Sequence, residues 1–227
     1  MFVIDGIVKL LGDLVKKAEH KIIEEIKNGE VEDEPSITNR FIERTKTYLE
    51  ESEGKLVKHN LHIRTLLDRG PKAPEREFGA DICGVLDVEL DDYYTNSKGF
   101  LAQAKCESEY VKVDMAPRGI IRVNFNPSRE FNRLKEQVNR MLEITPDSFV
   151  FIYSTKGFVV VPASSVRGLS SETGGVVYGK PIANFFKEFL MCFIGDHRLT
   201  ATDNETLREL RERTLSRIAC MFKIVSF

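Results

Sequence analysis

Between Gly79 and Cys106 the chain reads GADICGVLDVEL, a polar turn, then GFLAQAKC, and this pair of alternating segments constrains the fold more than any other stretch. At the two-residue period of a strand, Ile82, Gly84, Leu86, Val88 and Leu90 fall on one face of the first segment, and Asp81, Cys83, Val85, Asp87 and Glu89 on the other. The second segment divides into Phe100, Ala102, Ala104 and Cys106 against Leu101, Gln103 and Lys105. An Asp/Asn/Ser/Gly-rich link suits a long hairpin. One face is then apolar, and the other sets an acidic residue beside a glutamine and a lysine on the neighbouring strand. Lys105, enclosed by Ala104 and Cys106, is a charge in an apolar strand, a placement that calls for a partner or a task.

A hard divalent cation takes oxygen ligands, and phosphodiester hydrolysis needs a polarised phosphate and an activated water. The arrangement of Asp81 with Gln103-Ala104-Lys105 resembles the core of the PD-(D/E)XK, or restriction-endonuclease-like, nuclease superfamily in its D-Xn-QXK form. The resemblance implies a catalytic set of Asp81, Gln103, Lys105 and Glu34. In it Asp81 gives a charged oxygen, Gln103 its amide carbonyl, and Lys105 holds the attacking water and offsets developing charge. Glu34 stands for the glutamate that the helix before the hairpin contributes; Glu43 is the second candidate. The implied metal ligands are Asp81, Gln103 and Glu34, the ion Mg²⁺ or Mn²⁺, and the substrate DNA, cut by an endonuclease rather than an exonuclease in restriction or another prokaryotic defence system.

Gln103 departs from the usual Asp or Glu and removes one negative charge, so metal should bind more weakly than at a two-carboxylate site. That keeps a second reading open, a nucleic-acid-binding or assembly subunit with a weakened site. A third is a structural interaction domain in which this face is incidental. Exonuclease-like members carry QXXXY on the following helix; here Gln137 is followed at that spacing by Met141, so the match fails at the tyrosine.

The 227 residues carry 33 Lys and Arg against 35 Asp and Glu, a formal charge of −2 that gives no bulk attraction to nucleic acid and leaves DNA contact to a local basic patch. Cys83, Cys106, Cys192 and Cys220 form no CxxC pair and sit in apolar segments, which points to reduced core thiols, not zinc, and to a cytoplasmic setting. Asp5, Lys9 and Asp13 interrupt the apolar N-terminus, which therefore reads as neither signal peptide nor membrane span.

The expected class is α/β of the α+β kind: a mixed central β-sheet flanked by helices, with the Gly79–Cys106 hairpin near its centre. Residues 1–55 read as an N-terminal helical segment packing on or extending the core, and 56–227 as the restriction-endonuclease-like core with C-terminal helices. The first helix covers Phe2 to about Lys27, with a stripe through Ile4, Leu11, Val15 and Ile22 that serves the core or a dimer. Ser36 is the expected cap of the second, and KLVKHNLHIRTLLDRG, alternating around Leu61, Ile63 and Thr65, the first core strand. His59 and His62 point to opposite faces of that strand.

The loop RGPKAPEREFG, with Arg69, Lys72 and Arg76, leads to Asp81 and is a candidate phosphate contact, as are Arg118 and Arg122. REFNRLKEQVNRMLEIT is a helix led by Asn126-Pro127-Ser128, and SFVFIYSTKGFVVVPASSV holds two strands. SSETGGVVYG reads as a flexible connection, since Lys180 leads into Pro181 and no phosphate-loop GK[ST] follows. IANFFKEFLMCFIGD and DNETLRELRERTLSRIACMFKI are helices, the last with Arg208, Arg211, Arg213 and Arg217 on a candidate basic face. The sequence has no helix-turn-helix, zinc module or ATPase motif, so a target reader or a motor such as an ATPase or helicase, or another defence subunit, would belong to a separate chain.

Overall fold

The structure, a computed structural model, describes residues 2–52, 59–66, 74–90, 94–115 and 119–224. The expected class is the observed one: a mixed sheet of eight strands flanked by helices. Its elements are α1 (Phe2–Lys27), α2 (Glu34–Ser52), β1 (His59–Thr65), α3 (Pro74–Phe78), β2 (Ile82–Leu90), β3 (Tyr94–Cys106), β4 (Val111–Met115) and β5 (Ile121–Phe125). Then follow α4 (Arg129–Leu142), β6 (Ser148–Tyr153), β7 (Val159–Pro162), α5 (Ala163–Arg167), β8 (Gly175–Pro181), α6 (Ile182–Leu190) and α7 (Asn204–Ile224).

Strand order is β1-β2-β3-β6-β7-β8-β5-β4, antiparallel throughout except for the parallel pair β3/β6. The hairpin β2/β3 thus lies to one side of the centre, which β6 and β7 occupy. A parallel pair needs a crossover, and α4 supplies it between β3 and β6. Ser128 caps α4, its hydroxyl accepting from the Phe131 N–H at 2.9 Å, and Phe131, Leu134, Val138 and Met141 form the buried stripe.

Both faces of the sheet are covered, and this corrects the expectation of one apolar and one chemical face. Ile82, Leu86, Phe100, Ala102 and Ala104 meet α1, α2 and α6, where Phe100 sits among Phe149, Phe151, Phe185, Phe186 and Phe189. Cys83, Val85 and Leu101 lie on the opposite side, in a core shared with Phe131, Leu134 and Val138 of α4 and Leu207 and Leu210 of α7. Alternation tells which residues share a face; it does not tell what covers that face.

Three local readings differ from the structure. Asp33, not Ser36, caps α2: its carboxylate accepts from the Ser36 N–H at 2.9 Å, which puts Ser36 in the first turn. The turn-rich run before Asp81 contains α3, and the expected connection SSETGGVVYG gives its second half to β8. Gly174, at φ +66°, permits the latter, because a side chain there would lie 1.9 Å from the Phe125 carbonyl. Edge strand β4 is held by side chains: Glu107 accepts from the Val113 N–H at 3.0 Å, and Lys156 donates to the Val113 carbonyl at 2.8 Å. The last strand is thereby brought back beside the β6/β7 turn.

Candidate active site

In the register of β2 and β3, Ile82 stands opposite Ala102. The Asp81 N–H bonds the Ala102 carbonyl at 2.9 Å and extends that pairing by one step. Asp81 and Gln103 therefore share a face, and the parallel register sets Gln103 beside Val150 and Lys105 beside Ile152, on the α4 side. One Asp81 oxygen accepts from the Gln103 amide nitrogen and, at 2.8 Å, from the Ala104 N–H. Both side chains are inside the protein, Asp81 at 2% exposure and Gln103 at 0%.

The amide orientation of Gln103 follows from its neighbours. Its nitrogen faces two acceptors, the Asp81 carboxylate and the Ala104 carbonyl at 3.3 Å, so the amide oxygen must face away. That oxygen is buried and has no hydrogen-bond partner among the described residues. An orphaned buried carbonyl costs about 1–3 kcal/mol. An amide oxygen is a ligand type that a hard cation takes, but here it points away from the Asp81 carboxylate, so a Mg²⁺ or Mn²⁺ ion shared by the two would need the Gln103 amide to turn over. Among the described residues no group of three or more His, Cys, Asp or Glu side chains gathers as a metal cluster, so the fit rests on one carboxylate, one amide oxygen and whatever Glu34 adds.

Glu34 opens α2 and its carboxylate meets the Lys105 ammonium at 2.8 Å, with the two side chains 28% and 14% exposed. This is the partner that the apolar setting of Lys105 required. Glu43 is exposed further along α2, so of the two glutamates it is Glu34 that reaches the hairpin. Behind the pair, Thr38 hydrogen-bonds the Glu34 carbonyl at 2.8 Å and the Tyr153 hydroxyl at 3.1 Å, tying the start of α2 to the end of β6. Burial pushes the Tyr153 phenol well up, and the Asp81 and Glu34 charges add to the shift. Burial likewise pushes the Cys106 thiol up to about 11, with Glu34 adding and Lys105 opposing, and this half-buried cysteine packs against the core.

Of the other candidates, Arg76 lies on α3, close to Gly79 in the chain, while Arg69, Lys72 and Arg118 lie outside the described residues. His59 and His62 fall on β1, with side chains outside the described set. Arg122 is exposed on β5, on the face opposite Val123, which packs toward α4. The basic face expected on α7 is largely neutralised: Arg208 forks onto Glu77 through two bonds of 2.7 Å, Arg211 bonds Glu143 at 2.6 Å, and Arg213 pairs with Glu209. The Arg217 side chain lies outside the described set.

Sequence reasoning missed a cleft of about 460 Å³ lined by Arg76, Arg133, Glu136, Gln137 and Arg140. Gln137 itself is buried, and its main chain packs against Gly79, two residues before Asp81. No protein-family model, curated protein or solved structure matches the chain. Among the described residues no helix is long and apolar enough to cross a membrane.

Proposed function

We propose that the chain is a Mg²⁺- or Mn²⁺-dependent DNA endonuclease with a restriction-endonuclease-like core, acting in prokaryotic defence. The observation that carries this reading is the Asp81–Gln103 pair, with a buried amide oxygen left without a partner among the described residues and Lys105 two residues on. With α3 (between β1 and β2) and the strands β4 and β5 (between β3 and α4) taken as insertions, the order α2, β1, β2, β3, α4 and a parallel β6 is compatible with the αβββαβ order the resemblance implies. Asp81 and Gln103 would hold the ion with Glu34, and the bound ion would polarise the scissile phosphate. Lys105 would keep the attacking water in place and oppose charge growing on the phosphate. Glu34 fixes the ammonium's position before substrate arrives.

The test is cleavage of supercoiled, linear and single-stranded DNA in Mg²⁺ and in Mn²⁺ by the wild type and Lys105→Met, which keeps the stem's packing and removes the charge. The variant should lose about 10²-fold or more in rate and keep its melting temperature and DNA affinity. Equal rates would remove Lys105 from the chemistry. A wild type inert on all three substrates favours the second reading, a nucleic-acid-binding or assembly subunit. The specific observation on that side is Gln103 itself, which satisfies Asp81 through a hydrogen bond and leaves the pair with a single negative charge.

A further inference from the structure

We infer that the Arg76–Arg133–Arg140 cleft is a phosphodiester-binding site that holds the DNA backbone beside the Asp81–Gln103 pair; the choice of DNA rests on the nuclease reading, and the anion chemistry rests on the cleft. Three guanidinium groups and one carboxylate, Glu136, line it. Arg140 is partly committed, donating to the Arg76 carbonyl at 2.9 Å and standing 3.8 Å from Glu136. Arg76 and Arg133 are exposed, and neither guanidinium has an acidic partner within 4.0 Å among the described residues. On neighbouring α7, by contrast, Arg208 and Arg211 are matched to Glu77 and Glu143. The cleft therefore carries a net positive charge, three guanidinium groups against one carboxylate.

Position gives the cleft its meaning. Gln137 joins the cleft wall to the main chain at Gly79, and a chain step of two residues spans at most about 7 Å to Asp81. A strand whose phosphate sits on Arg76 and Arg133 thus runs past the hairpin end where Asp81, Gln103 and Lys105 meet. Guanidinium forks suit phosphate oxygens, and a chain of net charge −2 needs such a local patch to bind nucleic acid at all.

The experiment measures fluorescence anisotropy of a labelled DNA duplex, its single strand and the matching RNA duplex, in EDTA so that nothing is cut, across a salt titration. The proteins are wild type, the Arg76→Gln/Arg133→Gln double variant, and Arg213→Gln as an exposed arginine outside the cleft. Losing two phosphate contacts lowers the log–log salt slope for duplex DNA by about 1.8, or roughly 30-fold in affinity at 0.15 M salt. The double variant should show that loss with an unchanged melting temperature, and Arg213→Gln should match the wild type. A double variant that binds with wild-type affinity and slope overturns the inference, whether or not the wild type cuts DNA. So does a wild type that binds no DNA, or that prefers the RNA duplex. Cleavage in Mg²⁺ is scored separately, so an inert protein that still loses binding in the double variant keeps the cleft and sinks the nuclease.

Discussion

Gly79→Ala should damage this protein through two separable terms. Gly79 has φ +75°, where an alanine pays about 1–2 kcal/mol. A Cβ built there would also lie 2.2 Å from the Gln137 carbonyl oxygen and 2.9 Å from its carbon, whereas real Cβ contacts almost never fall below 3.0 Å. Since the obstacle is helix backbone, α4 and the link from α3 to Asp81 must move apart, at an overpacking cost of about 1–3 kcal/mol. Gly119 provides the comparison: it has the same φ of +75° and nothing within 4 Å of its Cβ position, so Gly119→Ala pays the conformational term alone. Thermal unfolding followed by circular dichroism should put Gly79→Ala about 6–15 °C below wild type and Gly119→Ala about 3–6 °C below, at about 3 °C per kcal/mol for a chain this size. If the two variants melt within about 2 °C of one another, the close contact between Gly79 and α4 is wrong.

Two buried acids should show opposite pH signatures. Glu19 is buried and accepts from the Phe158 N–H at 2.6 Å, yet burial raises its pKa above the ordinary 4.5, so its contribution is full below 4.5 and lost as pH rises through the folded value. Glu19→Gln keeps an acceptor for that N–H and should gain on the order of 1 kcal/mol at pH 7, with the gain gone below pH 4.5 in urea unfolding series. Burial also pushes Asp196 upward, but the Arg198 fork, the Arg198 N–H and the Thr145 hydroxyl outweigh it and hold the carboxyl below 3.8. Its contribution is present above pH 3.8 and lost as pH falls through the folded value, so Asp196→Asn should cost about 2 kcal/mol at pH 7 and progressively less in acid.

Where chemistry is local, the sequence announced the structure. The α1 stripe through Leu11, Val15, Ala18 and Ile22 is buried as its spacing required, and Ser128 caps α4 as a serine before an apolar-periodic run should. The hairpin reading put Asp81 beside Gln103, and the register extends to that pairing. The depth of the pair was not legible, because the cover over that face comes from α4, far along the chain, and strand periodicity carries no record of it. The reading of Ser36 as the cap of α2 overlooked Asp33, three residues earlier and of the same acceptor chemistry. The cleft was hidden for a related reason. Arg133 and Arg140 lie on the polar side of α4, and only the packing of α3 brings Arg76 to them.

The fully buried Gln103 raises the question of what its replacement by the superfamily's usual carboxylate would do. In the present sequence one Asp81 oxygen accepts from an amide N–H and a main-chain N–H, which offset part of its burial. Gln103→Glu would set two carboxylates side by side at a position with 0% exposure, and one of them would have to take up a proton. A raised folded pKa makes that pair's contribution full below the ordinary glutamate value and lost as pH rises through the folded one, so the variant should be weakest at neutral pH, by about 3–5 kcal/mol. A divalent cation supplies the missing positive charge, and at a hundred times its dissociation constant returns about 2.7 kcal/mol. Melting curves at pH 7 in EDTA and in rising Mn²⁺ should therefore show a destabilised variant rescued by metal beside a wild type that responds weakly. A Gln103→Glu protein as stable as wild type in EDTA would mean that Asp81 and Gln103 are not buried against one another. One that is destabilised and indifferent to Mn²⁺ would mean that the pair has no room for an ion, leaving Asp81 a structural anchor of the hairpin and the DNA reading to stand on the arginine cleft alone.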